Sequence, residues 1–267
     1  MAGRGPTPTL PAVVIPLKDD NPTSRVPWVT IILIAVNVVV FAFVQRPYER
    51  GLNQANFTFE FAAIPCEVVS GRPLTTGEVD ETLYEGDTEA CESSANGEVD
   101  DARFPGKQVY LAVLYSMFLH GSWLHIGGNM LFLWVFGNNI EDRMGHLPYV
   151  AFYLLAGLAA AAAHVAVQPN STVPVVGASG AVAGVMGAYL VLFPNVPIRS
   201  LLIFVIILFR DIPAKWLLGF WFVSQFFINP AEGVAWVAHV GGFVFGALVA
   251  LVLRDRLRPE RVRPAVY

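Results

Sequence analysis

Residues 177–193 read GASGAVAGVMGAYLVLF, seventeen positions without Asp, Glu, Lys or Arg and with a serine near the start. Gly177, Gly180, Gly184 and Gly187 recur at steps of three and four, so on a helix they form one stripe. Small stripes let helices approach closely where lipid removes the hydrophobic drive. The stretch therefore reads as a membrane helix shaped to be packed against.

Other segments repeat the pattern. Residues 28–44 and 148–167 also carry no charge, and 55% of the 267 residues are hydrophobic. Only 14% are charged, against roughly 25% in a soluble domain. A span needs about 20 mostly apolar residues, with shorter ones tolerated. A chain this short could hardly bury six such helices in a soluble core. The expected fold is an all-α membrane protein with six spans, at 27–45, 123–139, 149–168, 179–193, 213–229 and 234–253. The first apolar segment starts some 26 residues in, behind a Pro-rich stretch with Lys18, Asp19 and Asp20. No small-residue cleavage site follows it, so it reads as a permanent span and not a signal peptide.

Between the fourth and fifth spans lies a run of ten mostly apolar residues, 200–209, bounded by Arg199 and Arg210. A helix of that length covers only about 15 Å, half of a bilayer core. It reads as an interfacial or re-entrant segment, with a seventh span as the competing reading.

Lys and Arg favour cytoplasmic loops. Twelve of the seventeen fall on one side: Arg4, Lys18, Arg25, Arg143, Arg199, Arg210, Lys215 and five arginines in 254–267. The other five lie in the long loop 46–122 among thirteen acids. The expectation is a multi-pass protein of the cell membrane (inner or plasma). Its 1–26 tail and its basic 254–267 tail would be cytoplasmic, its membrane domain would be 27–253, and an insertion at 46–107 would lie outside. Cys66 and Cys91 share that loop, where they could pair; free thiols or metal ligands are the alternatives. The acidic stretch 78–101 reads as a solvated insertion.

Ionisable and amide side chains inside a span are costly and are candidates for function. Counting back fifteen residues from the expected cytoplasmic ends of spans two, four and six reaches His125, Ser179 and His239. At 1.5 Å per residue, each sits about 21 Å above the inner boundary, roughly 9 Å beneath the outer surface. Asn129 is one turn below His125 on the same face. Gly241, Gly242 and Gly246 follow His239, and small residues there would let spans four and six meet. Taken singly, each has a structural reading: a serine bonding a carbonyl one turn back, a histidine joining helices, glycines for packing. Their coincidence at one depth points instead to a hydroxyl nucleophile and an imidazole base. His164 lacks such company and reads as structural or interfacial, and His146 sits in a loop and needs no special account.

These residues resemble the motifs of the rhomboid family. Gly177-Ala178-Ser179-Gly180 resembles its GxSG, His120-x4-His125-x3-Asn129 its second-helix motif, and Ala238-His239-x-Gly241-Gly242 its AHxGG. The segment from Ile15 to Pro22, Asn37, and Glu141-Asp142-Arg143-x-Gly145 are similar to other family features, the first to the leader of a bacterial subset. The resemblance implies a six-helix intramembrane serine endopeptidase with Ser179 as nucleophile and His239 as base. It implies oxyanion donors at His125 and Asn129, a lesser role for His120, and backbone N–H groups around Ala178. It also implies a fifth span that moves aside for substrate, where Trp221 or Phe222 could line the gate. Expected partners are transmembrane protein substrates and the bilayer. No nucleic acid, metal or organic cofactor is implied. Two departures are visible: Ala183 stands where many members carry an aromatic against the histidine, and the usual Trp-Arg motif of the first outer loop is not evident. The rival reading is a non-catalytic rhomboid-like protein that binds membrane clients. With no carboxylate at that depth, packing alone is expected to orient His239.

Overall fold

The structure is a computed structural model that describes residues 13–48, 52–91, 101–203, 206–229 and 233–257. The C-terminal residues 258–267, with three of the tail arginines, and the acidic residues 92–100 lie outside that set.

Helix α1 (Trp28–Val39) runs on through a π-helical turn at Val40–Gln45. The stretch 46–122 contributes α2 (Leu52–Phe61), α3 (Pro65–Ser70), α4 (Thr76–Asp80) and α5 (Val109–Ser116). The bundle then continues with α6 (Trp123–Met144), α7 (His146–Val167), α8 (Ser179–Leu192), α9 (Ala214–Ser224) and α10 (Trp236–Val252), followed by the short α11 (Arg254–Leu257). Among the described residues, two helices are long and apolar enough to cross a membrane by length and composition, Trp28–Tyr48 and His146–Val167. Helices α8 and α10 are apolar but shorter.

Helix α8 is the centre. All of its residues from Gly180 to Tyr189 are buried, and α6, α7, α9 and α10 surround it. The glycine stripe explains how. Gly242 lies against the carbonyl of Gly180, Gly246 against that of Gly184, and Gly187 against that of Phe243. The other side of the stripe meets Ala160 and Ala156 of α7, where a Cβ added at Gly180 or Gly184 would stand 2.6 Å from the alanine Cβ. Two of the seven expected packing glycines act elsewhere. Gly241 faces Ala163 of α7 and not α8, and Gly177 belongs to the loop before the helix. The outside of the bundle stays apolar: Leu124, Leu147 and Phe220 are 87%, 83% and 73% exposed, as suits side chains that meet lipid.

Helix α1 begins after Pro27 with no cap of its own. The buried Glu141 of α6 serves instead. It accepts from Val29 N (2.9 Å), Thr30 N (2.8 Å) and the Thr30 hydroxyl (2.7 Å). A carboxylate there satisfies free N–H groups and opposes the positive end of the helix dipole. His146, expected to be an unremarkable loop residue, lies 2.6 Å from the same carboxylate.

The chain is not wholly helical. Strands β1 (Val13–Asp19), β2 (Pro197–Ile203) and β3 (Ile207–Pro213) form an antiparallel sheet in that order. Residues 200–203 and 207–209 thus lie in paired strands and not in a seventh span, and the 1–26 tail contributes β1. A hairpin pairs its own backbone groups, so a short apolar run need not be helical. The register sets Lys18 opposite Arg199 and Ser200 opposite Arg210, gathering basic residues at one end of the bundle. Asp19 ties the sheet to that end. Its Oδ2 accepts from Asn139 Nδ2 (2.6 Å) and the Tyr189 hydroxyl (2.7 Å).

The 46–107 region also carries a small core of its own. Phe59, Ile64, Cys66, Leu74 and Val79 form a second small core. A disulfide joins Cys66 and Cys91 across a separation of 25. Thr75 and Glu78 form a reciprocal cap on α4, and Arg72 holds Glu78 through both guanidinium nitrogens (2.8 and 2.7 Å). Lys107 Nζ lies 2.5 Å from Glu67 and donates to Phe59 O (2.6 Å). Glu67 and Glu78 are thus internally paired, whereas residues 84–89 of the acidic stretch are exposed.

Candidate active site

Three helices present their first turns to one place. His125 is the third residue of α6, Ser179 the first of α8 and His239 the fourth of α10. The count for span two used Asn139 as the end, whereas α6 continues to Met144; the shared level comes from the N-terminal ends. His239 Nε2 lies 2.8 Å from Ser179 Oγ. Both side chains are half-buried. The glycine crossing just beyond them brings the backbones close enough for that bond.

Gly177 has φ +127°, a conformation that L side chains rarely adopt. The space is also taken, since a Cβ there would stand 2.9 Å from His125 Cε1 and Nε2 and 3.3 Å from Ser179 Oγ. The His125 ring is therefore beside the serine. Its Nδ1 accepts a hydrogen bond from Gly121 N–H (3.3 Å), so the neutral ring carries its proton on Nε2, the nitrogen turned to Gly177. Asn129 Nδ2 donates to His125 O (3.0 Å). His120 makes no such approach to the serine: its ring meets that of His125 edge-on at 5.2 Å. Gln45 grips the His120 backbone from both sides, accepting from its N–H (3.0 Å) and donating to its carbonyl (2.5 Å). The helix opened by Ser179 has no side-chain cap, so its first-turn N–H groups past Ala178 remain free for a ligand oxygen.

His239 is held by more than packing, contrary to the expectation from sequence. Its Nδ1 lies 2.7 Å from Oε1 of the buried Gln225, at the end of α9. The Trp221 ring covers the imidazole at 5.8 Å between centroids, so α9 supplies an aromatic contact that Ala183 does not. Neither role was legible in sequence, because Gln225 lies fourteen residues from His239 and outside any motif.

A cavity of about 50 Å³ opens beside the serine. Gly177, Gly180, Ala160, Ala238 and His164 help to line it. His164, read as structural, thus shares the serine's cavity. Pro65 and Val68 of α3 reach the same cavity. The region around α3 is pinned there by Cys66 N donating to Ser171 O (3.0 Å), Val175 N to Ala63 O (2.8 Å) and Ala63 N to Ser116 Oγ (2.6 Å).

The Rhomboid domain family profile matches residues 107–256, which hold all of these helices from α5 to α10. The chain belongs to the rhomboid family. Among curated rhomboid proteins, it is 28% identical over 165 residues to Rhomboid protein 1, mitochondrial, of Saccharomyces cerevisiae, covering 57% of this chain and 44% of that one. It is 29% identical over 155 residues to RHOMBOID-like protein 5 of Arabidopsis thaliana, covering 55% and 45%. A shorter match, 38% over 69 residues, is to Rhomboid-like protein 11, chloroplastic, of the same plant, covering 26% and 24%. The chain thus spans less than half the length of each rhomboid relative it matches. Membership makes this a membrane protein. The profile begins at 107, so the small core around Cys66 and the strand β1 lie outside the matched rhomboid domain.

Proposed function

We propose that this rhomboid protein is an intramembrane serine endopeptidase, hydrolysing peptide bonds in or near transmembrane helices of other membrane proteins. The observation that carries the reading is the 2.8 Å approach of His239 Nε2 to Ser179 Oγ, at the edge of a cavity and beside a donor-bearing His125.

Ser179 Oγ attacks the scissile carbonyl carbon while its proton passes to His239 Nε2. The carbonyl electron pair moves onto oxygen, where the Nε2–H of His125, an Asn129 amide turned from its helix carbonyl, and the N–H groups at the start of α8 stabilise it. The C–N bond then breaks, the proton on Nε2 goes to the leaving nitrogen, and an acyl-serine remains. Water, deprotonated by His239, attacks that ester and frees the acid and Ser179. His120 supports the His125 ring and does not itself touch the oxyanion.

The cavity holds about 50 Å³, room for a few waters or a side chain of one or two heavy atoms. That favours small residues at the cleavage site. A helical substrate must unwind first, because its own hydrogen bonds shield the scissile carbonyl. We place six spans at α1, α6, α7, α8, α9 and α10, with the sheet and its basic residues in the cytoplasm and the disulfide-bearing region outside. Helix α8 is only about 21 Å long, so Ser179 lies beneath the outer surface when the other end reaches the inner one.

A fluorophosphonate probe tests this reading. Wild type is expected to be labelled, and Ser179→Ala and His239→Ala are not. Equal labelling of wild type and Ser179→Ala would reject it, and a client-binding protein would keep its partners in both.

A further inference from the structure

We infer that Gln225 is a positioning residue, whose amide oxygen sets the tautomer and aim of His239 in the place a carboxylate takes in a three-residue triad. The inference rests on the reading of His239 as the base.

An amide can face a histidine with oxygen or with nitrogen, and the neighbours decide which. One amide atom of Gln225 is 3.0 Å from Trp221 O and 3.3 Å from Ser224 Oγ. The Trp221 carbonyl only accepts. The Ser224 hydroxyl donates its proton to that same carbonyl at 2.7 Å, so towards Gln225 it also accepts. The amide atom facing both must be the nitrogen. Oε1 is then the atom turned to His239, at 2.7 Å from Nδ1. An oxygen there requires the proton to sit on Nδ1, which leaves Nε2 with its lone pair towards Ser179 Oγ at 2.8 Å. The chain Trp221 carbonyl, Gln225 amide, His239 ring and Ser179 hydroxyl has one consistent proton arrangement, and it is the one a general base needs.

Burial strengthens the argument. Gln225 is 4% exposed, and a carboxylate at that site would need to shed water without a cation partner. A neutral amide orients the ring without that cost. It stabilises the imidazolium less than a carboxylate does, so its loss should cost less than loss of a triad acid.

The full chain in detergent micelles, cleaving a reporter transmembrane substrate, provides the test, with fluorophosphonate labelling of Ser179 read in parallel. Gln225→Leu removes the acceptor. Gln225→Asn retracts it by one methylene and is the milder variant. Both are expected to lower kcat roughly 10- to 100-fold, part of the effect of a general base, with KM nearly unchanged and labelling slowed in step. Wild-type kcat in both the Leu and Asn variants overturns the inference. If wild type is labelled at Ser179 and the Leu and Asn variants label equally fast, only the role of Gln225 fails. If wild type is not labelled at all, the dyad fails with it.

Discussion

Gly242 of α10 rests against the backbone carbonyl of Gly180 in α8, with no room for a Cβ between them. Those two glycines follow the histidine and the serine of the site by three residues and by one. The distance between the helices, and so the reach of His239 to Ser179, is set by the absence of two side chains. Gly242→Val must push α10 away from α8. A displacement near 1 Å costs about 100-fold in turnover, and overpacking costs about 1–3 kcal/mol in stability. Reporter cleavage and thermal unfolding in detergent check both, and a Val variant with normal turnover would contradict the geometry.

Asn129 donates to a carbonyl of its own helix in the free protein, so its contribution to catalysis should appear only when an oxyanion forms. Asn129→Ala is expected to lower kcat by about 100-fold, near 3 kcal/mol of barrier, with KM little changed. His125→Ala should lose a similar amount. Steady-state kinetics on a reporter substrate separate the two parameters, and a change confined to KM speaks against an oxyanion role.

The Glu67–Lys107 pair lies 1–2% exposed outside helices α6, α8 and α10. Burial raises the Glu67 carboxyl and lowers the Lys107 ammonium, each opposed by attraction to the other. Lys107→Ala leaves a buried carboxyl without its cation and is expected to cost about 3–5 kcal/mol of local stability. Lys107→Met combined with Glu67→Leu should recover much of it. Limited proteolysis between residues 52 and 91 reads the result, and equal resistance in wild type and Lys107→Ala would show that the pair does not hold this region.

Asp19 carries the pH dependence of the sheet. Burial raises its carboxyl above the ordinary range, and the hydrogen bond from Tyr189 partly offsets this. A raised value means that the folded protein holds the proton more tightly than the unfolded chain. Its contribution is therefore full below about pH 4 and is lost as pH rises through the folded value. Asp19→Asn keeps an oxygen for Tyr189 and Asn139 without the charge. It should match wild type in thermal midpoint near pH 4.5 and gain on it near pH 7.5. A gap that widens towards acid would have the wrong sign.

Much of the site was readable from residue order. Ser179, His239, His125 and Asn129 lie in short motifs on recognisable apolar segments, and α8 announced itself through its glycine stripe. Gln225 did not. A glutamine near the end of an apolar segment has no local signature, and its meaning depends on an approach from another helix. The hairpin was missed because a short apolar run suits a helix or a buried strand equally well. The pairing of Glu67 with Lys107 and of Glu78 with Arg72 was not legible either, because composition counts acids without showing which of them are buried.

By itself the amino-acid order determined that this chain prefers lipid, which long apolar stretches become helices, and which hydroxyl and imidazole stand near their ends. Those are properties of composition and of periodicity along one segment. Only the tertiary structure decided the tautomer of His239, the facing of Gly241, the register of the sheet and the partners of the buried acids. Each depends on distances between residues far apart in the chain, and such distances are set by how whole helices pack.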